Sequence, residues 1–292
     1  MTKPIVTIAI PAYKPTFLKE AIDSALRQTY TNIELVIVND DSPYDLDALV
    51  SQYTDSRIRY YKNDTNLGSL SIVHNWNRCL SYARGEYFVL LCDDDILAPT
   101  MVQEMLGLAQ KYQSLGCFHA RKCNLQNDGS TKDTTIWPEY EDYEKFAEQN
   151  FAEQRKHTIT EFFYRTRFLT QHGGFVVFPV GYYSDDATIL YMAKQQGGMV
   201  SSQDILVTFR EGNEHISGND KYALGKAQAI KEYYLWLQQF PELAHYLSEE
   251  GYVSIIFIHL YACNWIDKLR ILPLIPFTWT RFKSFMYSFI TK

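Results

Sequence analysis

Apolar runs of two kinds alternate along the first third of the chain. Ile5-Val6-Thr7-Ile8-Ala9-Ile10 is β-branched and apolar almost throughout, the pattern of a strand buried on both faces. Pro11 ends it. From Thr16 the apolar positions Phe17, Leu18, Ala21, Ile22, Ala25 and Leu26 recur at helical spacing, behind a Pro15 suited to a helix start. Glu34 to Val38 predicts a second strand, cut off by Asn39-Asp40-Asp41-Ser42-Pro43. A short helix over Leu46 to Tyr53 and a strand over Arg57 to Tyr61 follow. Asn66-Leu67-Gly68 reads as a turn. Leu70, Val73, Asn77 and Leu80 mark a helix closed by Gly85, and Tyr87 to Leu91 is the fourth strand.

This alternation predicts an α/β fold, an open, mostly parallel sheet with right-handed crossovers. In such sheets ligands bind beyond the carboxyl ends of the strands. Pro11-Ala12-Tyr13, Asn39-Asp40-Asp41-Ser42 and Asp93-Asp94-Asp95 all fall there, distant in sequence but expected on one rim. Past Pro99 a helix reaches about Tyr112, and Gly116 to Ala120 suits a strand. Residues 124–157 are polar and irregular. A helix over 186–196, a strand over Ile205 to Phe209 and helices from Tyr222 onward complete the reading.

With 46% hydrophobic and 15% aromatic residues among 292, the chain can bury a large core, which excludes disorder. A net charge of -6 gives no footprint for nucleic acid, so none is expected as a partner. The five cysteines form no Cys-x-x-Cys pair and read as reduced thiols in a cytoplasm. The start lacks a signal-peptide pattern. Val253 to Ile266, the most apolar segment, carries Ser254, His259 and Asn264 and is short of the ~20 residues a spanning helix needs.

Three consecutive aspartates after an apolar strand need an explanation. Two carboxylates about 4 Å apart repel by roughly 4 kcal/mol at an effective dielectric near 20. Water or a cation must offset that. Mg²⁺ or Mn²⁺ prefers such oxygens and commonly bridges carboxylates to phosphates. A solvated acidic turn at the next helix N-terminus is the other reading.

Roughly the first 110 residues resemble the nucleotide-binding half of a family 2 glycosyltransferase with the GT-A fold. The matching pieces are Val6 to Tyr13, Ser24-Ala25-Leu26-Arg27-Gln28-Thr29-Tyr30, Glu34 to Ser42, Asn66-Leu67-Gly68, Asn75, Ala83-Arg84-Gly85-Glu86-Tyr87, and Asp93-Asp94-Asp95 with Pro99. The resemblance implies an inverting transferase that moves a sugar from a nucleotide donor, UDP by expectation, to a hydroxyl acceptor in cell-surface polysaccharide or glycolipid synthesis. Residues 1–115 would bind the nucleotide-sugar, 116–220 the glycan or lipid-linked glycan acceptor, and 221–292 would form a helical extension.

Residue by residue, the resemblance puts Pro11, Ala12 and Tyr13 at the nucleoside, Asp40 on the uracil edge and Asn75 among the donor contacts. Asp94 is the metal ligand of the Asp-x-Asp element and Asp93 its neighbour near ribose and phosphate; Asp93 and Asp94 would hold Mg²⁺ or Mn²⁺, with Asp95 completing the metal group. Cys92 stands where many members carry the first aspartate. Gln171-His172-Gly173-Gly174-Phe175 and Ser184-Asp185-Asp186 resemble the family's Gly-Gly-Phe and Glu-Asp elements, which makes Asp186 the general base for the acceptor hydroxyl. Asp185 and Asp186 also suit a helix N-terminus. Arg210, His215 and Ser217 resemble a loop that closes over the diphosphate, and His74 a phosphate contact. Trp76 and Trp137 are candidates for stacking on a sugar or for packing.

Residues 268–292 hold Lys268, Arg270, Arg281, Lys283 and Lys292, no acid, and many aromatics. Such a segment suits the anionic inner face of a membrane as a peripheral contact, or packing onto the core. Two rivals stand beside the transferase. A nucleotidyltransferase would carry a Gly-rich loop where Pro11-Ala12-Tyr13-Lys14-Pro15 has no glycine. A non-catalytic nucleotide-sugar or glycan-binding protein would share the fold.

Overall fold

The structure, a computed structural model, describes residues 5–152, 155–212, 219–260 and 262–287. The chain divides into two compact units, Met1–Val176 with Thr188–Gly212, and Val177–Ala187 with Asn213–Lys292.

The first unit opens with the expected alternation: β1 (Val6–Ala12), α1 (Leu18–Leu26), β2 (Ile33–Asn39), α2 (Leu46–Val50), β3 (Ile58–Lys62), α3 (Val73–Ser81) and β4 (Tyr87–Leu90). It continues with β5 (Ile96–Leu97), α4 (Met101–Lys111), β6 (Cys117–Leu125), β7 (Thr131–Asp133), β8 (Tyr140–Glu141), α5 (Tyr143–Phe151), β9 (Phe162–Arg165) and α6 (Thr166–Gln171). Most of α7 (Ser184–Gln196) and all of β10 (Met199–Arg210) complete it.

One sheet runs in the order β3-β2-β1-β4-β9-β6-β10-β5, with β7 on β6 and β8 on β10. β3, β2, β1 and β4 are parallel, as are β6 and β10. The rest is antiparallel: β9 runs against both neighbours and β5 against β10. The fold is α/β, an open sheet flanked by helices. The expectation of a mostly parallel sheet describes β1 to β4 and is corrected for the rest of the sheet, where short strands reverse direction.

The core explains the local order. Ile8, Ile10, Leu35 and Ile37 pack with Ala21 and Ile22 of α1 and Met101 and Met105 of α4 in one buried cluster. On Phe88 of β4, Phe175 packs and in turn meets Trp76 edge-on, centroids 5.8 Å apart. A Cβ on Gly85 would lie 2.5 Å from the Thr7 amide nitrogen. Glycine there lets the chain enter β4 against β1, with Thr7 Oγ1 accepting the Gly85 amide and donating to Glu34.

In the second unit the helices are α8 (Ala223–Leu237), α9 (Pro241–Ala244), α10 (Glu249–Leu260), α11 (Trp265–Ile271) and α12 (Trp279–Tyr287). Ile230, Tyr252, Ile256, Leu260, Ile271 and Phe285 form their shared core. Among the described residues no helix is long and apolar enough to cross a membrane.

Candidate functional site

Register builds the site. β1 pairs Ala12 with Asn39 of β2 and Ala9 with Leu90 of β4, so β1 and β2 end level and β4 stops three residues short of them. Extending the β1–β4 register brings Asp93 beside Ala12 and Tyr13. There the Asp93 Oδ2 accepts the amides of Tyr13 and Lys14, each at 2.8 Å. Ser42 ties the third loop in: its Oγ donates to the Tyr13 carbonyl at 2.6 Å, and its amide donates to Asn39 Oδ1 at 2.9 Å. The three polar clusters thus share one hydrogen-bonded rim. Tyr13, 37% exposed, presents its ring at the edge.

The three aspartates have different surroundings. Asp93 serves the first loop. Burial pushes its carboxyl up to about 6, helped by the charge of Asp94 and opposed by the two amides. Asp95 is buried; its Oδ2 accepts from Thr160 Oγ1 at 2.6 Å and its Oδ1 from the Arg210 amide at 3.2 Å. Burial, then the charge of Asp94, pushes Asp95 up to about 8. Asp94 lies half-buried between them. Ligand atoms of Cys92, Asp94 and Asp95 lie within 4.8 Å of one another, a carboxylate-dominated set that fits a hard divalent cation.

Asp40 is buried beneath the Asn66–Gly68 turn. Its Oδ1 accepts from Asn63 Nδ2 and the Leu67 amide, and its Oδ2 from the Gly68 amide, all at 2.8 Å. A Cβ on Gly68 would meet Asp40 Oδ2 at 2.8 Å. Asn75 is buried too; its Oδ1 accepts from Asn63 at 3.1 Å. It therefore supports Asp40 from below, through Asn63. Pro11 lies on the half-buried end of β1, whereas Ala12 is fully buried.

Arg210 ends β10. Its Nε donates to the Asp94 carbonyl at 3.2 Å, its Nη2 to Glu20 at 2.7 Å, and its guanidinium lies 3.8 Å from the Phe17 ring centroid. It braces the aspartate turn in this structure. His215 and Ser217 lie outside the described residues. His74 is exposed. Trp76 is buried against Phe175, and Trp137 is buried with its ring stacked on His119 at 3.7 Å, so both pack in the core.

Asp185 and Asp186 stand half-buried in the first turn of α7, in the stretch that belongs to the second unit. Also in that unit, the basic residues expected to face a membrane are largely engaged: Lys268 is buried, Arg270 pairs with Asp267, and Arg281 pairs with Glu249 and Glu250. Of the apolar ones Ile271, Ile275 and Phe285 are buried, whereas Phe277 and Trp279 are each 70% exposed, as is Trp265 just before the segment at 64%.

Pattern reading missed Asn63 and Thr160. Asn63 carries no local signal. Thr160 sits inside Thr158-x-x-Glu161, a capping box that sequence alone can reveal.

The profile of the family described as Glycosyl transferase family 2 matches residues 7–179. A 109-residue stretch is 36% identical to an uncharacterized glycosyltransferase of Rickettsia typhi, covering 37% of this chain and 33% of that protein. Another of 142 residues is 33% identical to the chondroitin synthase of Pasteurella multocida, covering 47% of this chain and 14% of that one. These matches thus span a third or less of the relatives' length. The crystal structure of S. aureus TarS 1–349 in complex with UDP-GlcNAc superposes with a TM-score of 0.68 over 98% of this chain and 79% of that one, at 14% identity. At that identity the likeness is one of fold.

Proposed function

Because the chain belongs to glycosyl transferase family 2, we propose that it transfers a sugar from a nucleotide donor to a hydroxyl acceptor, with inversion, in the synthesis of a polysaccharide or glycolipid. The observation that carries the reading is the rim itself: Asp93 joined to the Tyr13 and Lys14 amides, with Asp94 beside it at the end of β4. The UDP-GlcNAc bound by TarS supports a nucleotide-sugar as donor, and the chondroitin synthase among the relatives supports a polysaccharide product.

In this reading Pro11 and Tyr13 line the nucleoside, and the buried Ala12 and Asp40 fix the loops that surround it. Asp94 is the principal ligand for Mg²⁺ or Mn²⁺. Bound there, the cation would screen the diphosphate and stabilise the leaving group. Asp93 keeps the first loop in place, Asp95 keeps the turn in place, and Asp186 takes the acceptor proton. The test is UDP release from a panel of UDP-sugars with Mn²⁺ and without acceptor. Slow release from one or two donors is expected. Nucleotide-sugar binding with no release, even when glycan acceptors are supplied, would favour the non-catalytic binding protein.

We also infer a peripheral membrane contact made by the second unit. The pairing of Arg270 and Arg281 makes it an apolar contact through Trp265, Phe277 and Trp279 rather than a polybasic one.

A further inference from the structure

Between α5 and β9 the chain makes a single 3-10 turn over Ile159–Glu161, capped by Thr158. Thr160 is fully buried there. Its hydroxyl does two things at once: Oγ1 accepts the Cys92 amide at 3.2 Å and donates to Asp95 Oδ2 at 2.6 Å. The Cys92 carbonyl in turn accepts the Asp95 amide at 3.2 Å. One hydroxyl thus closes both ends of the turn that carries Asp93 and Asp94.

The next residue explains how that hydroxyl is held. Glu161 is 1% exposed. It accepts from Lys122 Nζ at 2.7 Å and lies 3.1 Å from His119 Nε2, both on β6. Lys122 Nζ also donates to the Lys156 carbonyl at 3.2 Å, and the Thr158 amide and hydroxyl bond back to Glu161. A buried ion pair of this kind adds little net stability over apolar packing; what it supplies here is a fixed position for the Ile159–Glu161 turn, tied to β6 through Lys122 and His119. Thr160 lies in that turn.

We propose that Thr160 is a positioning residue: it clamps Cys92 to Asp95 so that the Asp94 carboxylate is aimed at the cation. The role needs a group that donates and accepts at one atom, which serine shares and valine lacks. The proposal rests on the reading of Asp94 as the metal ligand.

The experiment compares Thr160→Val and Thr160→Ser in the full chain by two readouts. The first is amide hydrogen exchange without ligand, which reports the clamp itself. In Thr160→Val, exchange should speed up in the peptide containing Cys92 to Asp95 and stay unchanged in the core strands, while Thr160→Ser follows the wild type. The second is Mn²⁺-dependent UDP affinity by calorimetry. Losing a group that orients a metal ligand costs about 10- to 100-fold, expected for valine and not for serine. Thr160→Ala repeats the comparison should the valine unfold the chain. Unchanged exchange and unchanged Mn²⁺ dependence in a folded variant lacking the hydroxyl would overturn the proposal. A wild-type chain whose UDP affinity ignores Mn²⁺, with exchange still sensitive to valine, would instead overturn the metal reading beneath it and remove the function assigned to the clamp.

Discussion

Asp93 and Tyr13 are 80 positions apart, yet the Asp93 carboxylate accepts the Tyr13 amide hydrogen at 2.8 Å. The parallel pairing of β1 with β4, carried past Leu90, brings the two residues to the same place. Asp93→Ala leaves the Tyr13 and Lys14 amides without their acceptor. Two lost charge-assisted bonds predict a loss of about 2–3 kcal/mol in urea unfolding. Because the first loop is loosened, UDP affinity should fall by a similar factor with and without Mn²⁺. A loss confined to the Mn²⁺ condition would make Asp93 a metal ligand rather than a loop anchor.

Asp186→Asn should separate binding from transfer. The amide keeps the size of the side chain and its place in the first turn of α7, but it cannot take a proton. UDP affinity is expected within about twofold of wild type, while transfer to acceptor falls by at least the 10²–10⁴-fold typical of a lost general base. Full transfer by the variant would leave Asp186 as a helix-end residue.

Glu161 gives the fold a definite pH dependence. Burial alone would raise its carboxyl, but Lys122 and His119 outweigh burial and hold it down at about 2, against an ordinary 4.5. Its folded value is depressed, so the stabilisation is complete above about pH 4.5 and disappears as the pH falls toward 2. The gap corresponds to about 3 kcal/mol. Glu161→Gln should cost about that much at pH 7, with the deficit shrinking in acid. A deficit that is constant from pH 7 to pH 3 would show that the ion pair does not titrate this way.

Exposed aromatics in the second unit predict how a membrane contact would behave. Liposome flotation of the wild type should survive 0.5 M salt, which screens charges beyond a few ångströms. The triple variant Trp265→Ser, Phe277→Ser, Trp279→Ser should stay in the soluble fraction. Equal recovery of both proteins with the liposomes would exclude these residues, and flotation abolished by salt would restore the polybasic reading.

Much of the first half was legible because one physical signal governs each element. β2 is buried at every position, so past Glu34 its apolar run from Leu35 to Val38 is continuous and ends where Asn39 and Asp40 begin. The same holds for β1 and β4, and the convergence of their polar ends follows from topology alone. The reversal at β9 was not legible. Phe162-Phe163-Tyr164-Arg165 is four residues long and carries no alternation, and β5 has only two residues. The division of tasks among the three aspartates was hidden for a different reason. Identical side chains at adjacent positions differ only in what tertiary contacts reach them: the first loop for Asp93, and Thr160 with the Arg210 amide for Asp95. Trp137 was ambiguous because only the His119 ring stacked upon it distinguishes core from sugar platform.

The most direct measurement is calorimetry of UDP binding, with and without Mn²⁺, to the wild type and to Asp94→Ala. The wild type should bind UDP at least tenfold more tightly with Mn²⁺, and Asp94→Ala should bind it equally weakly in both conditions. Full Mn²⁺ dependence in Asp94→Ala, or none in the wild type, would contradict the account.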